Sequence, residues 1–379
     1  MALMLKREAP PHGLLLALVL ALLVTGLLVS YSASFWVGQM AYGDPYYFIE
    51  RQSLYVAVGL VIMVALMVVD YRRLRRLSLP LMLVTLAGLG AVLVPGVGLV
   101  RNGAARWLAL GPVEVQPSEG AKLALVMYMA AWLAGRGEEI RRFSVGLLPF
   151  ALVVGTVGGL IVAEPDMGTA VIVVAVALAI FFVARAPLLH ILAVVLVGAA
   201  ASYLLILSQD YRMSRLQTFL EPDRDPLGAG YQMTQMLTAL GAGGITGLGW
   251  GASRHKLGLL PNAHTDGVFV VVGEELGLVG ALAILTLLAL VLWLGLKVAR
   301  EAPDRLGQLT AVGVVSWLGI QSLVNLGGVT GILPLTGVPL PFFSYGGSAM
   351  VSTLAGVGLL LSVARRIPFH LRAGEVRRG

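Results

Sequence analysis

The chain has 379 residues, of which 58% are hydrophobic and only 12% charged, against roughly 25% charged in a soluble domain; this excludes a soluble globular protein and marks an integral membrane one. The net charge of +7 sits in short basic clusters between apolar runs, a topology signal that argues against a nucleic-acid partner. With no cysteine, a disulfide framework and a thiolate metal site are both excluded.

In chain order, apolar runs near 20 residues long predict ten transmembrane helices, over about 13–33, 52–69, 78–97, 118–134, 143–163, 167–184, 188–207, 267–297, 307–333 and 345–364. The runs lack the alternation of a membrane barrel, and helices satisfy their own backbone groups in lipid, so the expected fold is all-α, a single polytopic membrane domain spanning 1–379. Lys6 and Arg7 before the first run, with "SYSAS" after it, also fit a signal peptide. The run is long for one, and an even number of spans works when it is retained. Glycine is abundant, 47 residues, as expected where membrane helices pack through small side chains.

Lysine and arginine favour the cytoplasmic side. With the N-terminus inside, the inner segments hold Lys6 and Arg7, then Arg72, Arg73, Arg75 and Arg76, then Arg136, Arg141 and Arg142, then Arg185, then Lys297, Arg300 and Arg305, and finally Arg365, Arg366, Arg372, Arg377 and Arg378. Both termini are therefore expected in the cytoplasm. The outer face keeps the sizeable polar segments, about 34–51, 98–117, 208–266 and 334–344. A loop as long as 208–266, between the seventh and eighth spans, is expected to be functional. No repeat of about 20–50 residues and no inverted duplication of the transporter kind is visible.

Four outer islands carry the polar chemistry. In "NGAARWLALGPVEVQPSEGAKL", Glu119 and Lys122 share a helix face at i, i+3, while Arg106 and Trp107 suit an interfacial anchor. "AEPDMGTA" places Glu164 and Asp166 in a very short link, where Asp166 is expected to cap the next helix. In the third island Tyr231–Leu240 is a weakly amphipathic surface helix, and the glycines of 241–251 precede Arg254, His255 and Lys256, a combination able to approach a phosphate but lacking phosphate-loop spacing. In "NLGGVTGILPLTGVPLPFFSYGGSAM" the prolines must break the ninth helix before the tenth begins near Ser344, and broken backbone at membrane depth implies burial in protein or an aqueous cavity.

The stretch "LPNAHTDGVFVVVGEELGLVG" adds Asp266 at the mouth of the eighth span, where Thr265 or Asp266 is expected as its N-cap. Glu274 and Glu275 fall inside the same span and are expected to make interhelical polar contacts; His264 reads as a hydrogen-bonding bystander.

Together "YYFIERQ", "NGAARWLALG", "QPSEGAK", "EPDMGTA", "DPLGAGYQMTQ", "LPNAHTD", "GEELGLVG" and "LPFFSYGGSA" resemble, in order and over nearly the whole chain, the shape, elongation, division and sporulation family of bacterial membrane glycosyltransferases. The resemblance implies a ten-helix polymerase that joins lipid II into glycan strands at the outer membrane face. It also implies a class B penicillin-binding protein as companion transpeptidase, other division or elongation membrane proteins as partners, and a divalent cation, Mg²⁺ or Mn²⁺. It makes Asp266 the catalytic residue with Lys122 near it. Candidates for binding substrate are Lys122, Glu119, Arg106, Trp107, Arg254, Lys256, Ser344 and Ser348. "GDPYYFIERQ", "VPGVGLVRNGAARW" and "GYQMTQ" are more similar to the division type, FtsW, and "LTGVPLPF" to the elongation type, RodA. Gly267 and Gly120 stand where the family usually has bulkier residues. The alternatives are an elongation-type polymerase, a lipid-linked precursor transporter, and a scaffold that only recruits the transpeptidase.

Overall fold

A computed structural model describes residues 11–101, 104–111, 113–221, 225, 228 and 230–368. The basic residues Lys6, Arg7, Arg372, Arg377 and Arg378, used above for orientation, lie outside the described residues.

The helices are α1 Pro11–Tyr42, α2 Tyr47–Val68, α3 Tyr71–Leu74, α4 Ser78–Val92, α5 Pro117–Leu133, α6 Leu148–Ala163, α7 Met167–Val183, α8 Leu188–Leu207, α9 Asp210–Leu220, α10 Tyr231–Gly243, α11 Val268–Glu301, α12 Arg305–Val329 and α13 Gly347–Ala364. Each of the ten predicted segments coincides with one of them. Eight helices among the described residues are long and apolar enough to cross a membrane, with α3 and α4 counted as one continuous span, Tyr71–Val92. The two remaining segments are α5 and α7, 17 residues each, about 25 Å at 1.5 Å per residue and so short of a ~30 Å hydrocarbon core.

Three expectations about the outer segments change. The 34–51 segment is mostly helix, because α1 continues to Tyr42 and α2 starts at Tyr47. The predicted span already holds a buried polar contact near its end, Ser32 bonding the Glu275 carboxylate of α11 at 2.7 Å, and α1 runs on through Ser34, which is also buried. The all-α expectation yields in 98–117 to a small antiparallel sheet, β1 Gly98–Arg101, β2 Ala104–Leu110 and β3 Val113–Val115 in the order β1-β2-β3. Leu99 pairs with Trp107, and Leu108 with Val115. Between α8 and α11 the chain folds α9 and α10 and then a series of turns. The amphipathic helix expected at Tyr231–Leu240 is α10, which buries Met233, Met236 and Ala239.

The bundle packs α2 along α13, α12 against α5, α7 and α11, and α1 along α11. Small residues permit these approaches: a Cβ at Gly59 would strike Leu354, and one at Gly358 would strike the backbone of Met63. α8 differs, since none of its residues is buried, as suits a helix facing lipid on most sides.

α11 is not one rod. Gly277 has φ 65° and ψ −163°, which breaks the helix after its third turn. The broken turn does not leave its backbone unpaired: Leu248 and Gly249 donate to the carbonyls of Glu274 and Glu275, both at 3.0 Å, and Leu278 and Val279 donate to Gly244 and Ile245 at 3.0 and 3.1 Å. The glycine-rich loop is therefore a ladder strand laid along a helix break, the arrangement that lets irregular backbone persist at membrane depth.

α12 ends at Val329, and 330–346 runs without regular helix to α13, as the prolines predict. The return segment is buried: Val338, Leu340, Phe342 and Phe343 are all core residues.

Candidate active site

Asp266 lies one residue before Gly267, the residue that caps α11. The expected N-cap role for Asp266 or Thr265 is therefore corrected: Gly267 caps with no side-chain bond, and the amides of Thr265 and Gly267 instead close a turn on the Asn262 carbonyl at 3.1 and 3.2 Å. Thr265 donates its hydroxyl to Asp266 Oδ1 at 3.0 Å, and Asn325 of α12 holds the backbone, its Nδ2 donating to the Asp266 carbonyl at 3.0 Å and to Val338 at 2.8 Å.

Asp266 is 5% exposed. Burial holds its pKa above the ordinary aspartate value, opposed by the Thr265 hydroxyl, the Arg215 guanidinium and the Gln232 amide. Arg215 of α9 and Gln232 of α10 also line a cleft of about 330 Å³, together with Ser214, Thr218, Met233 and Leu335. The carboxyl thus stands one side chain behind the wall of a cleft that opens between α9, α10 and the return segment. A carboxyl desolvated in this way beside one guanidinium has the chemistry a general base requires.

The return segment forms the opposite wall. A Cβ on Gly337 would lie 3.9 Å from Asp266 Oδ2. Pro339 accepts from Gln321 Nε2 at 2.8 Å, and Gln321 Oε1 accepts from Lys122 Nζ and from Trp317 Nε1, both at 2.7 Å. Lys122, 1% exposed, is ion-paired with Glu119 at 2.8 Å. The predicted Glu119 and Lys122 face is therefore real, but it meets Asp266 only at one remove, through Gln321 and the return segment.

The "AEPDMGTA" link abuts the same wall, since a Cβ at Gly168 would touch Thr336 and Val338. Asp166 caps α7 as expected, accepting from the Thr169 amide at 3.1 Å. Arg106 of β2 clamps the turn, donating Nε to the Glu164 carbonyl at 3.0 Å and Nη2 to the Pro165 carbonyl. Trp107 is half-buried beside it on β2. Glu164 is fully buried, 0% exposed, with neither carboxyl oxygen hydrogen-bonded. Burial first, and then the neighbouring Asp166, push it up to about 8.

Ser344, Ser348 and Lys256 are engaged by other residues of the fold. Ser344 Oγ accepts from the Leu340 amide at 2.8 Å, and Ser348 Oγ from the Gln116 amide at 2.9 Å. Lys256, 1% exposed, is ion-paired with Glu275 at 2.5 Å. Arg254 alone of Arg254, His255 and Lys256 has an exposed side chain, while its amide donates to Glu274 at 3.0 Å. Ser253 and His255 bond the same Glu274 carboxylate at 2.5 and 2.8 Å; Glu275, bonded by Ser32 of α1, makes the interhelical contact expected of it, whereas Glu274 is held by the 253–255 turn and not by another helix. His264 packs on Phe48, ring centroids 4.7 Å apart, and burial pushes its pKa down to about 4, which keeps it neutral near pH 7.

Sequence reasoning did not single out Arg215, Gln232, Gln321 or Asn325. The two amides on α12 are four residues apart in an apolar run, the spacing of one helix face, and that was the available signal. Nothing in the sequence pairs Arg215 with Asp266.

A family described as "Cell cycle protein", covering FtsW, RodA and SpoVE, matches residues 13–367. Stage V sporulation protein E of Bacillus subtilis is 40% identical over 362 residues, 96% of this chain and 99% of that protein. The probable peptidoglycan glycosyltransferase FtsW of Geobacter metallireducens is 39% identical over 353 residues, 93% of this chain and 94% of its own length. Among solved structures, a chain of a peptidoglycan synthase complex that coordinates polymerization and crosslinking superposes with a TM-score of 0.76 at 34% identity, covering 93% of this chain and 96% of that one. The rod shape determining protein RodA of Thermus thermophilus gives a TM-score of 0.69 at 33% identity, covering 93% and 96%.

Proposed function

The chain belongs to the FtsW, RodA and SpoVE family of cell cycle proteins, and from that membership we propose that it is a peptidoglycan glycosyltransferase of the division type, polymerising lipid II. The observation that carries this reading is Asp266: a carboxyl buried at one end of the bundle, its pKa raised by that burial, beside a cleft of about 330 Å³ whose wall presents Arg215 and Gln232. All ten predicted segments cross the membrane in this reading, with α5 and α7 completing the count. Both termini are cytoplasmic, and Asp266 faces the exterior.

In the reaction a sugar hydroxyl of one lipid II forms a bond to the anomeric carbon of another. The carbon–oxygen bond to the lipid diphosphate breaks, the diphosphate leaves with the electron pair, and the hydroxyl proton passes to Asp266. A base is needed at the hydroxyl and positive charge at the leaving group. Asp266 takes the first role. Arg215 on the cleft wall and the exposed Arg254 supply the second. Glu119, Lys122 and Gln321 hold the wall behind the return segment, and Arg106 holds the Glu164–Asp166 turn against it. Entry of the sugar to the carboxyl requires Gln232 or Leu335 to swing aside. Trp107, Ser344, Ser348 and Lys256 act by keeping these walls in register.

A resident divalent cation does not fit the donor set. Among the described residues no three His, Asp or Glu side chains cluster, Asp166 is committed to its cap, and the unpartnered Glu164 shares its turn with the Arg106 guanidinium. Mg²⁺ or Mn²⁺ enters instead with the substrate diphosphate, as such ions commonly do. The companion is a crosslinking transpeptidase, a class B penicillin-binding protein, with other division proteins around the pair; the relative that superposes with a TM-score of 0.76 belongs to a synthase complex that both polymerises and crosslinks.

Purified protein given lipid II, with and without the transpeptidase, tests the reading: new glycan chains support it. Movement of lipid II across the bilayer with no new glycosidic bond contradicts it and supports a transporter.

A further inference from the structure

We propose that the end of the bundle opposite Asp266 carries a second binding site, which takes the phosphate-bearing head group of an anionic lipid. A cavity of about 300 Å³ lies there, between the last turn of α5, the 137–141 turn, the end of α7 and the start of α12. The near ends of these same three helices carry Glu119, Asp166 and Asn325, so the cavity is separated from the candidate active site by the length of the bundle.

Three guanidinium groups line the cavity, those of Arg141, Arg185 and Arg305. Positive charge at helix ends follows from topology alone, but topology does not gather it around one hollow. Arg305 donates to the Val183 carbonyl and to Gln308 Oε1, both at 2.5 Å, and both partners are neutral. Among the described residues no carboxylate is ion-paired with Arg185 or Arg305. The one acid in the lining, Glu138, pairs with Arg141 at 3.0 Å, with side chains 79% and 67% exposed. A pair that open to water is weak and exchanges readily for a better anion.

The backbone at Arg185 points the same way. α7 ends in a left-handed turn, with φ 68° at Arg185 and the Ala186 amide returning to the Phe181 carbonyl at 3.2 Å. Glycine is the ordinary residue at such a helix end. An arginine there accepts a strained backbone in order to place a cation at the cavity rim, and strain of this kind persists where it serves a site.

The surroundings select a lipid. Phe182 and Leu188, flanking Arg185, are 59% and 70% exposed, so the cavity opens beside an apolar surface where acyl chains run. A phosphodiester presents oxygens that match guanidinium forks, and basic pockets between membrane helices are recurrent head-group sites.

The test is lipid retention by the full-length protein in detergent, read by native mass spectrometry after incubation with phosphatidylglycerol or phosphatidylcholine. The parent is expected to retain phosphatidylglycerol in preference to phosphatidylcholine. Arg185→Gly relaxes the left-handed turn while removing the cation, so it should fold at least as well and retain phosphatidylglycerol about tenfold less, the loss expected for one charge-assisted contact. Arg141→Gln, on an exposed side chain, is a second variant whose folding is not at issue and should lose affinity in the same direction. Added inorganic phosphate separates the two sources of this chemistry: a lipid that stays bound supports the head group, and a lipid displaced supports a soluble phosphate in the same pocket. Equal retention of the two lipids by the parent, or undiminished phosphatidylglycerol on both variants, would overturn the proposal.

Discussion

Asp266 and Glu164 are both buried acids near one wall, yet their surroundings set them apart. Asp266 is favoured in its charged form by the Thr265 hydroxyl bond and the Arg215 charge, against the burial that opposes it. Glu164 has no hydrogen bond to either oxygen and is pushed up to about 8. Removing the Thr265 hydroxyl takes away one contact that lowers the Asp266 pKa. Thr265→Val should therefore move the acid limb of the polymerisation pH profile to higher pH, with the plateau rate little changed; an unmoved limb would mean that the base is another group. For Glu164, the folded value stands above the ordinary 4.5, so its protonated form stabilises the fold fully at pH below that value, and the contribution is lost as pH rises through about 8. Glu164→Gln should flatten this part of the pH dependence: a melting temperature close to the parent's at pH about 5 and higher than the parent's at pH about 9. Parallel pH curves for the two proteins would contradict the assignment. The sequence displays Asp266 but not its state, because Arg215 and Gln232, which bear on it, come from 34 or more residues away in the chain.

The helices were legible as apolar runs of the right length, and the end of α12 was legible from its prolines. Where polar residues are consumed by tertiary contacts the reading failed. α1 ran nine residues past its predicted end, through the buried Ser34, and the segment ahead of α5 formed a sheet that no alternation announced. The break in α11 was also hidden, since "GEELGLVG" has the composition of ordinary membrane helix and its ladder partner lies about thirty residues earlier. Two substitutions probe that element. A Cβ at Gly277 would collide with the backbone of Gly247 and Ile245, at a φ of 65° that side chains rarely adopt. Gly277→Ala should cost about 1–3 kcal/mol or more, seen as a lower melting temperature with loss of polymerisation. Lys256 and Glu275 are buried together with Ser32. Glu275→Gln alone should destabilise by about 3–5 kcal/mol by stranding the lysine, while the double variant with Lys256→Met recovers part of the loss. Additive effects in that cycle would show that the pair is not coupled.

Across the whole molecule, composition gave the membrane class and the basic clusters gave an expected orientation. The order of the motifs gave the family before any helix was placed. What they could not give is the path by which parts of the site join: Lys122 reaches the return segment through Gln321 and Pro339, and Gly337 of that segment lies beside Asp266, a route defined only once α5, α12 and the return segment are packed together. The molecule then reads as a bundle with polar chemistry at both ends, a carboxyl beside a cleft at one and three guanidinium groups around a hollow at the other. The central claim is that Asp266 accepts the proton from the attacking sugar. The most direct measurement compares the parent with Asp266→Asn, both verified as folded by their melting temperatures, for glycan strands formed from purified lipid II. Loss of a positioned base predicts a rate lower by a factor of about 100 or more with lipid II still bound; strands made by the variant at the parental rate would contradict the account.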